Sequence, residues 1–116
     1  MYNIKNVISR IRELRMHKLY EGEESPNGVF RAKAFAEAQD YGDILNTLKI
    51  IDEKTDVNLY KVQKSISLLR LFIDKEERSL RVSDEIYRPV IEGDLFVLRQ
   101  ALDIFETVQK NPVKKG

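Results

Sequence analysis

The stretch NGVFRAKAFAEAQDYGDILNTLKII, Asn27 to Ile51, decides the fold class. With successive residues about 100° apart round a helical wheel, Phe30, Ala34, Ala38, Tyr41, Leu45 and Leu48 share one face. Ile44 joins that face at its edge, and Gln39, Asp43, Asn46 and Thr47 take the opposite side. The pattern stays in phase through Gly42. It predicts one long helix over 28–52, bent at the glycine, that builds a core and turns a polar side to solvent. Ala34 and Ala38 are small and let a neighbouring helix come close. Lys33 and Glu37, four apart, form a helix-surface pair.

The same periodicity runs through the flanking segments. Upstream, Ile4, Val7, Ile11 and Leu14 form a stripe, widened by Ile8, which predicts an amphipathic helix over 3–20. Its charges are lopsided, with Lys5, Arg10, Arg12, Arg15 and Lys18 against Glu13. The acidic stretch EGEESPNG (21–28) then reads as a loop, because Ser, Pro, Asn and Gly stop and start helices. Downstream, DEKTD (52–56) reads as a turn, with Asp56 as the N-cap of a third helix over 57–78. That helix carries the stripe Leu59, Val62, Ile66, Leu69 and Ile73. Val57, Tyr60, Leu68 and Leu71 form a second, opposing set, and Phe72 lies between the two. Apolar residues on both sides predict a helix with two partners. The connection after it holds a short helix over 83–88, broken near Pro89. A last helix over 93–110, with Asp94 as its N-cap, buries Val97, Leu98, Ala101, Leu102, Ile104, Phe105 and Val108. No segment alternates at period two. The expectation is an all-α fold, one domain over 1–116, built as a compact bundle of four to five helices.

Composition narrows the function. Of the 116 residues 42% are hydrophobic and 34% charged, which describes a globular chain with a charged surface. Twenty basic residues against nineteen acidic ones disfavour a strongly basic nucleic-acid binder. The absence of cysteine excludes disulfides, thiolate metal sites and cysteine nucleophiles. The N-terminal segment is too charged for a signal-peptide core, and no apolar run approaches the roughly 20 residues of a membrane span. A cytoplasmic protein without a membrane partner is expected.

Catalytic chemistry is sparse. The single histidine, His17, falls on the polar side of the first helix. No His or Glu spacing suits a metal, and no phosphate-binding glycine loop occurs. Glu37, Asp40 and Asp43, spaced by three, drift round the wheel and read as a solvated face. No cofactor is expected.

Two likenesses stand out. VFRAKAF (29–35), placed after an amphipathic helix and a loop, resembles the N-terminal lyase-type domain of the family X DNA polymerases. There a similar Phe-Arg-x-Lys-Ala-Tyr helix follows the first helix. The resemblance implies a gap-binding module, with Arg31 and Lys33 contacting DNA phosphates. The chain departs from that family's Gly-x-Gly phosphate motif, since Lys54–Ser67 contains no glycine. Separately, Gly42-Asp43 and Gly93-Asp94 each precede an amphipathic run and look like the helix starts of helical-repeat scaffolds. No family is assigned from either likeness.

Two functional expectations follow. The first is a small non-enzymatic adaptor or regulator that binds a protein partner or another copy of itself. Its surface would centre on Val57, Tyr60, Leu68 and Leu71, rimmed by Lys61 and Lys64. The alternative is a nucleic-acid-binding regulator using Arg10, Arg12, Arg31, Lys33, Lys61 and Lys64. The small size would suit an accessory protein of a virus or mobile element.

Overall fold

The structure is a computed structural model and describes residues 3–111. Four helices make up the described chain: α1 (Ile4–Glu24), α2 (Gly28–Asp52), α3 (Leu59–Val82) and α4 (Arg88–Lys110). No strand occurs among the described residues. Asparagine starts three of the helices. The Asn3 side chain accepts from the Lys5 amide, Asn27 from Val29 and Phe30, and Asn58 from Tyr60, at 2.8–3.3 Å. The expected caps differ. Asn58, not Asp56, caps α3, and Asp94 lies inside α4. The short helix over 83–88 and the break at Pro89 are absent. Instead α4 starts at Arg88, and Pro89 sits in its first turn, where a missing amide hydrogen costs nothing. Both Gly-Asp pairs are therefore mid-helix rather than helix starts.

α1 runs on to Glu24, so the first half of the expected acidic loop is its last turn. The connection to α2 shrinks to Ser25–Asn27. α2 ends in a left-handed Lys54 (φ 57°), whose amide donates to the Ile51 carbonyl while the Thr55 amide reaches Ile50. This is a Schellman closure.

Short connections force antiparallel neighbours. α1 packs along α2 and α3 along α4, making two helical hairpins. The hairpins meet through lesser α1–α4 and α2–α3 contacts, and the backbones of the diagonal helices stand further apart. The topology is up-down-up-down. Both hairpin turns, 25–27 and 83–87, lie at one end of the molecule, which measures 52 × 29 × 20 Å. The α2–α3 turn lies at the other.

The core is unevenly placed. Its buried residues run from Val7 to Ile11 on α1, Tyr41 to Leu48 on α2, Val62 to Phe72 on α3 and Val97 to Phe105 on α4. Most lie toward the end away from the hairpin turns, with Phe72, Val97 and Leu98 just on the turn side of the middle of their helices. Tyr41 stacks on Phe72 at 4.4 Å between ring centres and ties the hairpins together at the edge of this core. Within the turn half, Ala34, Ala38 and Gly22 are buried on α1 and α2, and Leu95 is buried on α4. Two expectations on α2 reverse. Phe30, placed on the core face, is 64% exposed, because the core ends before reaching it. Thr47, placed on the polar side, is buried, and its hydroxyl donates to the Asp43 carbonyl at 3.0 Å.

Candidate interaction surface

Beyond the Tyr41–Phe72 stack, charge replaces the core. Glu37 on α2 accepts from Lys75 of α3 at 2.8 Å and lies 3.4 Å from Lys18 of α1. It does not pair with Lys33, because its side chain turns inward between three helices. Burial alone would raise the Glu37 pKa. The Lys75 hydrogen bond and the two lysine charges outweigh that and hold it below its ordinary value. Burial opposes the Lys18 charge too, yet Glu37 and Glu21 carry its pKa above the usual lysine value. Glu76 of α3 and Asp94 of α4 complete the layer, with no hydrogen bond or ion pair to either side chain. Burial pushes both carboxyl groups up, and Asp94 adds to the effect on Glu76. The Tyr41 hydroxyl is driven upward by the same burial and by Glu76.

Past this charged layer the two hairpin ends are rich in exposed apolar side chains. Among the described residues, eight of the thirteen exposed large hydrophobic side chains gather there. Tyr20, Val29, Phe30 and Phe35 surround the α1–α2 turn. Val82, Ile86, Tyr87 and Val90 surround the α3–α4 turn. Among the described residues, those exposed at the opposite end are Leu59 and Tyr60. The hairpin ends adjoin each other. Lys33 and Val82 line one groove of about 690 Å³ between α2 and α3, and His17 and Val90 line another between α1 and α4.

Local structure fixes these positions. Gly22 lets the Phe35 ring lie against the backbone of α1; a Cβ at Gly22 would stand 2.5 Å from it. Arg31 donates to the Ser25 carbonyl at 2.8 Å, covering the end of α1.

The residues expected to bind a partner separate. Tyr60, Lys61 and Lys64 line a groove of about 210 Å³ between α2 and α3 with Asn46 and Ile50. Lys64 stands 3.6 Å from Asp43 there. Val57 and Leu68 are half-buried against the core. Leu71 is exposed, but lines the neighbouring groove with Lys75 and Val82. The basic set divides as well. Arg10 pairs with Glu13 at 3.2 Å, and Arg12 lies on the outer face of α1. Arg31 and Lys33 stand at the hairpin-turn end, and Lys61 and Lys64 at the far end of α3.

His17 is exposed and 2.9 Å from Glu21. Among the described residues no group of three His, Cys, Asp or Glu is arranged to hold a metal ion. No described helix is long and apolar enough to cross a membrane.

Sequence reasoning missed the hairpin ends. Phe30 kept the helical phase of a core residue, and Ile86 and Tyr87 fell in the expected short helix over 83–88, which the structure does not form. The available signal was aromatic and β-branched residues flanking both short turns. Comparison with protein families, with curated proteins and with solved structures found no match for this chain.

Proposed function

We propose that this protein is a non-enzymatic helical adaptor or regulator, and that it works by pressing the hairpin-turn end of its bundle against another protein surface. One observation carries this reading: eight large apolar side chains are wholly or partly exposed at one end of a bundle whose core lies mainly toward the other. An apolar cluster costs solubility, and a contiguous one marks a contact surface. Its tyrosines and phenylalanines, ringed by Arg31, Arg81 and Arg88, have the composition of interface anchors. The charged layer beneath makes a polar floor that ends the core cleanly. The groove around Tyr60, Lys61 and Lys64 is a smaller second candidate. The nucleic-acid reading has less support, because its six basic residues do not share a face.

A photoreactive amino acid placed at position 30 or 86, and separately at 60 and 49, tests this in cells that naturally make the protein. Positions 30 and 86 are expected to crosslink to protein, and position 49 is not. Crosslinks confined to 60 would move the surface to the α2–α3 groove. An absence of protein crosslinks at all four would remove the contact reading.

A further inference from the structure

We infer that the surface docking on the hairpin-turn end is the same end of a second copy, related by a twofold axis. This rests on the reading of that end as a contact surface. The axis would set the α1–α2 turn of one copy against the α3–α4 turn of the other.

The charges around the turns supply the reason. Glu23 and Glu24 sit in the last turn of α1, and among the described residues their side chains have no hydrogen-bond or ion-pair partner. The helix dipole is negative there, so two carboxylates are poorly placed in a lone molecule. Arg88 opens α4, at the positive end of its dipole, and its guanidinium too has no partner among the described residues. Arg81, across the connection in the last turn of α3, has none among them either. The twofold brings the negative end of α1, with Glu23 and Glu24, to the positive end of α4, with Arg88 and Arg81. Two adverse placements then answer each other. The remaining charges follow the same rule, since Arg31 and Lys33 beside one turn face Asp84 and Glu85 in the other. Exposed apolar side chains flank both turns, so those of one copy meet their like in the next. A net charge of +1 sets up no long-range repulsion between copies.

Size sets the strength. A cross-section of 29 × 20 Å allows an end-on contact to bury roughly 600 Å² per copy, at the low limit of specific interfaces. The dimer is accordingly a weak one, with a Kd of order micromolar, sensitive to salt because its ion pairs lie at the rim.

Sedimentation equilibrium over a range of concentrations tests this with charge-reversed chains. Wild type is expected to show a monomer–dimer equilibrium that weakens at least several-fold from low to high salt. Arg81→Glu/Arg88→Glu and Glu23→Arg/Glu24→Arg are each expected to be monomeric, and their equimolar mixture to dimerise again. Arg88→Glu and both glutamate reversals improve the match to their helix dipoles. Arg81→Glu opposes the dipole of α3, so in circular dichroism Arg81→Glu/Arg88→Glu should melt close to wild type and Glu23→Arg/Glu24→Arg at least as high, which separates lost association from lost folding. A monomeric wild type at every concentration would overturn the inference, as would charge-reversed chains that dimerise like wild type. If position 86 crosslinks to a different protein while wild type stays monomeric, the contact reading stands and the second copy is wrong. If neither crosslinks nor dimers appear, both fall.

Discussion

At the scale of single residues, the glycines and the half-buried carboxylates make the sharpest predictions. Gly93 is helical with open space where a Cβ would go. Gly93→Ala is expected to stabilise the fold by about 0.8–1 kcal/mol in urea titration. Gly22→Ala gains the same helix propensity but drives a methyl group into the Phe35 ring. Overpacking of this kind costs about 1–3 kcal/mol, so a net loss is expected. In a Phe35→Ala background the same change should turn neutral or favourable; a loss that persists there would assign it to the backbone. The carboxylates act through pH. Asp40, Glu76 and Asp94 have pKa values raised first by burial. Each contributes stability fully present below its ordinary pKa of about 4 and lost as pH rises through the raised value. Glu37 is lowered, so its contribution is lost only on further acidification. The melting temperature is therefore expected to rise as pH falls from neutrality through the raised values of these three groups, and to fall again as Glu37 is protonated. Asp94→Asn and Glu76→Gln should each raise it at pH 7 and flatten that slope. Each gain should stay well under the ~1.4 kcal/mol of a full pKa unit, because these side chains are partly in solvent. A flat profile in the wild type would contradict the assignment.

At the scale of elements, the two hairpins differ along their length rather than from each other. The core holds the half that contains the start of α1 and the end of α4. The turn half rests on Ala34, Ala38, the Gly22–Phe35 contact and the Glu37 ion pairs. Amide exchange is expected to be fast around 20–32 and 80–90, through local opening, and slow near Ile44, Leu69 and Leu98, where exchange requires global unfolding. Equal protection at both ends would show a continuous core. Periodicity made most of this architecture legible. The stripes Ile4–Leu14 and Val97–Val108 are buried or half-buried faces, as is the stripe of α3 from Val62 to Ile73, although Leu59 at its head is exposed; the long helix of the opening stretch holds its predicted bounds. Helix ends were less legible. Asp56 and Asp94 look like caps by composition. Asn58 is better placed for α3, and Pro89 fits the first turn of α4 as readily as it breaks a helix. The charge run Glu21–Glu24 read as a loop, although Lys18 and His17 each reach Glu21 from the preceding turn.

At the scale of the whole molecule, the wheel could not say where the core stops. Phe30 and Leu48 share a face of α2, yet one is exposed and the other sealed, because the opposing hairpin covers only part of that face. Helical phase reports direction round the axis and says nothing of depth along it. The basic residues were open to the same error, since Lys33 and Lys61 lie at opposite ends of the bundle. The proposed surface depends on Phe30 and Ile86 being held for contact rather than for folding. The most direct measurement is the unfolding free energy of Phe30→Asp/Ile86→Asp, taken by urea titration at protein concentrations too low for association. Exposed positions tolerate such changes, and a loss within about 1 kcal/mol of wild type is predicted. A loss above about 3 kcal/mol, the scale of core truncation, would place these side chains in the core and contradict the account.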